Sequence, residues 1–488
     1  MMKKERQIWS FILATAVLAF LVALLSGSLQ CRRAIKPGAS LDDFKTHLLQ
    51  TIPDLMEAYS IPGCSISLVL NGEVAYSEAF GYADRERGRL LGPDTPMSVQ
   101  SITKSVTAWG VLALSEDGLL DLDEPVVEHL KTWDFPDTPY SEGKVTARTL
   151  LSHCASLPLG DFTAVYAPGD AMPSLRQTLT KQAVLTGEPN RRFSYSNVGY
   201  HVLELLIEEI TAKRYSEYMR ERVLMPLHME SSSFEPSDLS EASLPTGYDL
   251  KGRPVPVYVY PEKSSGGLFA TAADIARFTA ASMKENPVLA AWQVRRLYEP
   301  ERKEIGVYSL VFDAYGLGHY LETLPGGLLS ASHGGQGRGI MTHMQIVPES
   351  GDALVILTNS QRSWPFIAQV LAQWARWRGF GPVGMERILW AHYAMSVLIA
   401  LLVMAGLLTL AASRVCSRRL KVAKAVVALL LIVLLLWCKA QPYLLVSSVF
   451  PVLAGWLGTA TACLSACLLL SLLGKEKSGK TIRRQELE

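Results

Sequence analysis

Three long apolar segments near the C-terminus constrain the fold of this 488-residue chain more than any other feature. They lie at about residues 388–412, 422–437 and 443–473, and charged residues are rare in all three. In lipid, a backbone must satisfy its own hydrogen bonds, and a helix of this length does so within one segment. The sequence therefore predicts three transmembrane helices over residues 386–474 and a basic tail over 475–488.

Basic residues flank the three segments asymmetrically. Those between the first two segments and after the third are Arg414, Arg418, Arg419, Lys421, Lys424, Lys475, Lys477, Lys480, Arg483 and Arg484. The connection between the second and third segments carries only Lys439. Because loops rich in lysine and arginine stay in the cytoplasm, three crossings place residues 31–386 outside. The sequence thus predicts a multi-pass cell-membrane protein that contacts the lipid bilayer and has an extracytoplasmic domain.

The N-terminus carries a shorter apolar run. Residues 1–6 are basic overall, and residues 8–25 are apolar apart from Ser10 and Thr15. This pattern is typical of a signal peptide or of an uncleaved signal anchor, and the run is long for the first and short for the second. Residues 1–30 are therefore assigned to a leader whose cleavage the sequence leaves open.

The composition of the chain narrows the possible function classes. The net charge is +1, which gives no electrostatic case for a nucleic-acid partner. His, Cys, Asp and Glu residues do not occur at the spacings of a metal site, so neither a metal nor another cofactor is predicted. A domain over residues 41–380 remains, and its motifs indicate chemistry carried out by protein side chains.

Three short motifs in this domain contain side chains that suit acyl transfer. Ser101 precedes Lys104 by three residues, Tyr195 and Asn197 flank one serine, and His333 opens a His-Gly-Gly sequence. A serine hydroxyl is a weak nucleophile until a base removes its proton. A helix that begins at Ser101 places Lys104 one turn further on the same face, where burial favours the neutral amine. Tyr195 offers a phenol as a proton shuttle, and Asn197 offers an amide to hold a substrate carbonyl.

Each motif alone has an ordinary structural explanation. Ser101 could be a helix N-cap and Lys104 a solvated side chain, while the other two motifs are often turns or loops. The ordered set resembles penicillin-recognising serine hydrolases. Tyr-x-Asn in the second place is similar to class C β-lactamases and their DD-peptidase and esterase relatives. Histidine in the third place also occurs among those relatives, in some secreted DD-peptidases and D-aminopeptidases.

The resemblance extends over about residues 45–380. The further segments that resemble the family are Ile-Pro-Gly at 61–63, Leu-Leu-Ser-His-Cys-Ala-Ser-Leu-Pro at 150–158, Pro-Leu-His-Met at 226–229 and Gly-Gly-Leu at 266–268. Cys154, Ala155, Ser156 and His228 depart from the family pattern. These departures lie beside the three motifs and leave the motifs themselves intact.

The resemblance implies a β-lactamase/transpeptidase-like α/β fold, with an antiparallel sheet flanked by helices and an inserted helical region. It assigns catalysis to Ser101, Lys104 and Tyr195, and substrate binding to Asn197, His333, Gly334, Gly335 and Gln336. The backbone N–H groups of Ser101 and Gln336 are expected to hold the oxyanion. His333 is expected to support Tyr195 or to bind a substrate carboxylate, whereas His153 is expected to be structural.

The sequence predicts hydrolysis of peptide, amide or ester substrates through an acyl-enzyme. A cell-wall peptide ending in D-alanine suits an extracytoplasmic site, and D-aminoacyl or ester substrates would use the same residues. The alternative is a β-lactam sensor or penicillin-binding protein that forms a stable acyl-enzyme, although the tail after residue 473 is short for an output domain. A catalytically silent protein is disfavoured because all three motifs are present.

Periodicity and turn residues predict the main local elements. The predicted helices cover residues 41–59, 101–114, 201–222 and 363–377. The predicted hairpins join residues 64–70 to 73–81 across Asn71-Gly72, and residues 339–347 to 352–358. Strands at both ends with helices between them favour a sheet closed by both ends of the domain.

Overall fold

The computed structural model divides the chain into two units. It describes residues 14–22, 35–239, 244–411, 415–416, 418–441, 445–473 and 475–476. One unit comprises residues 33–387, and the other comprises residues 1–32 together with 388–488. Of the predicted leader only residues 14–22 are described, and they are helical. The rest of the leader, and most of the predicted basic tail, lie outside the described residues.

An antiparallel sheet of eight strands forms the centre of the first unit. In chain order the strands of this unit are β1 (Gly63–Leu70), β2 (Glu73–Asp84), β3 (Arg89–Leu90), β4 (Met97–Ser98), β5 (Gly247–Tyr248), β6 (Pro254–Val255), β7 (Phe269–Ala270), β8 (Ala314–Tyr315), β9 (Tyr320–Thr323), β10 (Leu329–Gly337), β11 (Ile340–Val347) and β12 (Asp352–Thr358). The sheet order is β3-β2-β1-β12-β11-β10-β9-β8. Because β1 pairs with both β2 and β12, the two ends of the domain meet within the sheet, as predicted.

Helices cover the sheet and fill the middle of the unit. The α-helices are α1 (Leu41–Tyr59), α2 (Thr103–Glu116), α3 (Ala147–Leu151), α4 (Leu175–Gln182), α5 (Asn197–Thr211), α6 (Tyr215–Met219), α7 (Ala272–Ala281), α8 (Ala291–Leu297) and α9 (Trp364–Arg378). Short 3-10 helices include Gln100–Ile102, Val126–Glu128, Glu142–Lys144, Pro236–Asp238, Gly306–Leu310, Pro348–Ser350 and Gly384–Glu386. Most of the helices lie between β4 and β8, which is the predicted inserted helical region.

The central helix α2 is buried on all sides. Every residue from Thr103 to Leu114 is buried, which explains why this stretch has no polar face. Trp109 packs against Phe278 of α7 with ring centroids 5.1 Å apart. A helix enclosed in this way holds its first turn rigidly, and that turn carries Lys104.

The two ends of the first unit also meet outside the sheet. The rings of Phe44 in α1 and Trp377 in α9 stack with centroids 4.1 Å apart. The Gly38 N–H donates to the Trp377 carbonyl at 2.9 Å, and the Trp377 indole donates to the Ala39 carbonyl at 2.7 Å. The chain therefore enters and leaves this unit at adjacent points.

Most of the predicted local elements are confirmed, and one is wrong. Both hairpins form, and the helices over residues 41–59 and 363–377 agree with α1 and α9 within one residue. The predicted helix over residues 201–222 instead begins at Asn197 and ends at Thr211. Ala212 has φ 55°, a left-handed conformation that ends the helix, and α6 and a π-helical turn (Arg220–Leu224) follow.

The second unit contains long apolar helices. Besides the helical residues 14–22, its described helices are α10 (Arg387–Ala411), α11 (Arg418–Ala440), α12 (Leu445–Val449) and α13 (Pro451–Leu470). A 3-10 turn at Ser471–Leu473 follows α13, and β13 (Val415–Cys416) and β14 (Lys475–Glu476) form a two-residue parallel pair. Among the described residues, three helices are long and apolar enough to cross a membrane: Gly384–Ala411, Arg418–Ala440 and Pro451–Leu473. The number of spans agrees with the prediction, and the third begins at a proline, a residue favoured in the first turn of a helix.

Candidate active site

A strained turn presents the candidate nucleophile. Gln100 has φ 52°, a conformation that a residue other than glycine adopts only where its surroundings hold it. Its buried side-chain amide donates to Ser98 Oγ at 2.7 Å, and the Tyr260 hydroxyl donates to its Oε1 at 3.1 Å. The turn leaves Ser101 half-buried, while the residues that follow it are fully buried.

Lys104 is buried beside Ser101 with a defined set of partners. Its Nζ donates to Asn197 Oδ1 at 2.7 Å and to the Ser265 carbonyl oxygen at 2.8 Å, and lies 3.1 Å from Ser101 Oγ. Burial holds the pKa of Lys104 well below its usual value. A neutral amine has two N–H donors and one lone pair. With the two donors used by Asn197 and Ser265, the lone pair is left for the Ser101 hydroxyl.

The second motif forms the start of α5. Ser196 is the N-cap residue, since its hydroxyl oxygen accepts a hydrogen bond from the Gly199 N–H at 2.9 Å. This cap makes Asn197 the first residue of the helix and leaves Tyr195 immediately before it. Ser101 lies near enough to the Tyr195 hydroxyl to lower its pKa, but burial is the larger effect and raises the pKa of Tyr195 well above its usual value. The phenol therefore keeps its proton in the resting site.

His153 supports Tyr195 from behind. Their rings lie 4.2 Å apart, and His153 Nδ1 accepts a hydrogen bond from the Ser196 N–H at 3.1 Å. Burial and the nearby Lys104 hold the pKa of His153 well below its usual value, so the ring is neutral and its proton lies on Nε2. This position fits the structural role that the sequence indicated.

The third motif lies on β10, directly against the nucleophile turn. A Cβ atom at Gly335 would lie 2.3 Å from the Val99 carbonyl oxygen, so only glycine allows this approach. A Cβ atom at Gly334 would lie 2.6 Å from the Trp364 ring, whose indole donates to Gln336 Oε1 at 3.1 Å. Gly335 thus lets β10 pack closely against the turn that carries Ser101, and Gly334 lets it pack against Trp364.

His333 is enclosed rather than open to solvent. Its side chain is only 1% exposed; Nδ1 donates to the Gly334 carbonyl at 2.9 Å, which leaves Nε2 to accept from the Tyr315 hydroxyl at 3.2 Å. Burial holds the pKa of His333 well below its usual value. Its ring centre lies 6.4 Å from that of Tyr195. This geometry favours support of the Tyr195 side of the site over contact with a substrate carboxylate.

The sequence analysis missed the carbonyl of Ser265 and the groups that hold it. The N–H groups of Lys263 and Ser264 donate to one carboxylate oxygen of Glu204 at 2.7 and 2.9 Å. His201 Nε2 lies 2.9 Å from Ser265 Oγ. Burial raises the pKa of Glu204 to about 7.

A partial signal for this network was present in the sequence. Asn197, His201 and Glu204 are spaced i, i+4 and i+7, so they share one face of α5. The family-like segment at residues 266–268 follows directly after the turn that they hold. The pattern alone did not show that this face of α5 holds the turn at Ser265 against Lys104, because that turn lies about 60 residues further along the chain.

Comparison with known proteins identifies the family of this chain. The family model described as Beta-lactamase matches residues 48–373, more than half of the chain. The chain belongs to the β-lactamase family. The flp protein of Staphylococcus aureus (strain COL) is 31% identical over 215 residues. That alignment covers 43% of this chain and 42% of flp, so the chain spans less than half the length of this relative.

Two solved structures bear out the β-lactamase/transpeptidase-like fold. The octameric penicillin-binding protein homologue from Pyrococcus abyssi has a TM-score of 0.60 at 25% identity, over 69% of this chain and 78% of that one. The D-amino acid amidase from Ochrobactrum anthropi SV3, in complex with L-phenylalanine amide, has a TM-score of 0.53 at 26% identity, over 64% and 92%.

Proposed function

We propose that this protein is a membrane-tethered, extracytoplasmic serine hydrolase that acts on peptide, amide or ester substrates through an acyl-enzyme. The arrangement at Lys104 carries the proposal. Two acceptors, Asn197 Oδ1 and the Ser265 carbonyl, occupy the hydrogens of its neutral amine, and Ser101 Oγ lies 3.1 Å away. An amine held in this way is a general base for the serine hydroxyl.

In the first half-reaction, Ser101 Oγ attacks the substrate carbonyl carbon and its proton passes to Lys104 Nζ. The oxyanion that forms accepts hydrogen bonds from the backbone N–H groups of Ser101 and Gln336. Tyr195 donates its proton to the leaving amine or alcohol as the carbonyl re-forms, and Lys104 replaces that proton. The result is an ester of Ser101 and a released, neutral leaving group.

In the second half-reaction, water attacks this ester with the same groups in reversed roles. The proton of the water passes through Tyr195 to Lys104, and Lys104 then donates a proton to Ser101 Oγ as this oxygen leaves. Asn197 is already held by Lys104 at 2.7 Å, so its N–H₂ group remains available for a substrate carbonyl. His333 and His153 are both neutral and pack on the Tyr195 side of the site.

The neutral state of His333 bears on the choice of substrate. A buried, neutral imidazole offers no positive charge to a substrate carboxylate. We therefore expect esters, D-aminoacyl amides or D-alanine-type peptides to be hydrolysed faster than cephalosporins, which carry a carboxylate. The likeness to a D-amino acid amidase and to a penicillin-binding protein homologue supports the same substrate classes.

The decisive experiment uses the purified full chain in detergent with a panel of D-alanyl-D-alanine peptides, D-aminoacyl amides, short acyl esters and a chromogenic cephalosporin. Ser101→Ala should abolish turnover and labelling by a fluorophosphonate probe. Ser105→Ala is the matched control, because it removes a buried hydroxyl one turn along, bonded to the Gly318 carbonyl. Labelling that persists in Ser101→Ala places the nucleophile elsewhere. Stable acylation by a β-lactam without turnover of any substrate favours the sensor alternative.

The side of the membrane is tested separately. Reporter fusions near residue 380 and in the 439–442 connection should report an outside location, and fusions near Arg418 an inside one. A cytoplasmic signal near residue 380 contradicts the extracytoplasmic assignment and the cell-wall substrate together.

A further inference from the structure

An exposed apolar surface lies on the short 3-10 helix Gly306–Leu310. Val307 and Leu310 expose 50% and 67% of their surface. Residues three apart in a 3-10 helix lie on the same side, so the two side chains form one patch. The helix also carries Tyr308, which is half-buried.

This helix is fixed to the start of the first candidate membrane span. That span begins at Gly384, where a Cβ atom would lie 2.0 Å from the Val311 carbonyl oxygen. The Gly384 N–H donates to the buried carboxylate of Glu322 at 2.6 Å, and the Arg387 guanidinium donates to the Leu310 carbonyl at 3.3 Å. The apolar patch is therefore held within hydrogen-bonding distance of the residues where the chain turns into its first span.

One residue of this helix, Tyr308, lies beside the catalytic site. The Tyr308 ring lies 5.7 Å from the ring of Tyr195, and 5.3 Å from that of Tyr320. Tyr195 in turn lies beside Ser101, which acts on its pKa. Only the side chains of Tyr308 and Tyr195 thus separate the helix that carries the exposed patch from Ser101 along this line of contacts.

We propose that Val307 and Leu310 insert into the lipid surface, so that the catalytic site opens at the bilayer and takes amphiphilic substrates whose long apolar chain stays in the lipid. The bilayer interface is the natural partner of an exposed apolar patch on a helix that contacts Gly384 and Arg387, from which the chain continues into a candidate span. The proposal of amphiphilic substrates rests on the proposed hydrolase function, since it specifies which acyl substrates that site hydrolyses. The lipid contact itself does not depend on catalysis.

Leu90 provides a matched control for the lipid contact. It is 69% exposed, nearly the same as Leu310, but lies on β3 at the edge of the sheet opposite to β8. A sheet of eight strands spans roughly 34 Å between its edge strands, so the two leucines sample distant surfaces.

The first experiment places a photoreactive phenylalanine analogue at position 310 or 90 of the full chain, in vesicles of phosphatidylethanolamine and phosphatidylglycerol that contain an alkyne-tagged phospholipid. We expect at least about fivefold more lipid adduct from position 310 than from position 90. Equal adduct yields, or an adduct with protein in place of lipid at position 310, overturn the proposal.

The second experiment compares hydrolysis of a vesicle-inserted long-chain p-nitrophenyl ester with that of soluble p-nitrophenyl acetate. The double variant Val307→Asp, Leu310→Asp should hydrolyse the inserted ester about tenfold more slowly than the wild type and the soluble ester at an unchanged rate. The control Leu90→Asp should hydrolyse both esters at the wild-type rate. An equal loss on both esters, or no loss on either, overturns the proposal. Failure of the wild type to hydrolyse the soluble ester and the rest of the panel refutes the hydrolase function instead, and leaves the adduct experiment to decide the lipid contact.

Discussion

Replacing Glu204 by glutamine tests the electrostatics beneath the active site. Glu204 is buried and accepts the N–H groups of Lys263 and Ser264 through one oxygen, Oε2. Glutamine keeps one such oxygen and the same shape, so Glu204→Gln removes the titration while the two hydrogen bonds can persist. The other carboxyl group that acts on this site is Glu262, which is unchanged in the variant.

The expected effect follows from the pKa of Glu204, which burial raises from 4.5 to about 7. Between these values the folded protein keeps a proton that the unfolded chain has released, so the free energy of unfolding falls as pH rises. Above pH 7 both states are ionised and the loss is complete. At about 1.36 kcal/mol per pKa unit, the full loss in the wild type is about 3 kcal/mol. Because glutamine does not titrate, the variant should gain this amount over the wild type between pH 4.5 and pH 8.

The assay is chemical denaturation of the full chain in detergent at a series of pH values, followed by near-ultraviolet circular dichroism. The unfolding free energies of the wild type and Glu204→Gln should be similar near pH 4.5 and should diverge in favour of the variant as pH rises to 8. A difference that stays constant across this range shows that Glu204 does not ionise there, and refutes the reasoning. Turnover by the variant should stay within a few-fold of wild type, because the Ser265 carbonyl keeps its position.

Three further predictions concern the site itself. Gly335→Ala should reduce kcat/KM more than about tenfold, since its Cβ atom would meet the Val99 carbonyl at 2.3 Å, while Gly326→Ala, with open space around it, should have no effect. Lys104→Met should lower kcat/KM about a thousandfold. In the wild type, kcat/KM should rise with pH through the depressed pKa of Lys104, and the variant should lose this acidic limb of the pH profile. An acidic limb that is unchanged in the variant assigns the base elsewhere. Tyr195→Phe should slow hydrolysis of poor leaving groups such as amides about a hundredfold, and that of activated p-nitrophenyl esters much less, and equal losses on both contradict the proton-shuttle role.

The features that the sequence predicted well are those set by local patterns. The hairpin at Asn71-Gly72 follows from a turn that needs positive φ at both residues, and both have it. The three motifs lie far apart in the chain, but their residue types are specific enough to identify acyl-transfer chemistry. The structure brings Ser101, Lys104 and Asn197 into direct hydrogen-bonding contact.

The features that the sequence could not show depend on contacts between distant segments. The Ser265 carbonyl is a backbone group, which no side-chain pattern can reveal. The break at Ala212 was missed because alanine is the best helix former and gives no warning of a left-handed residue. Tyr308 was missed because its role depends on the rings that it contacts, those of Tyr195 and Tyr320, which come from distant segments.

The meeting of the two ends of the catalytic unit determines how it responds to mechanical force. The connections to the rest of the chain leave from about residues 38 and 387, and the contact between Gly38, Phe44 and Trp377 bridges them. Tension applied through both connections therefore acts first on the packing of α1 against α9. The pairing of β1 with β12 comes next along this path, whereas the turn that carries Ser101 lies between β4 and α2, outside it. In a stretching measurement on the single molecule, α1 should detach from α9 before the sheet opens, and the pocket around Ser101 should be the last part to lose its shape.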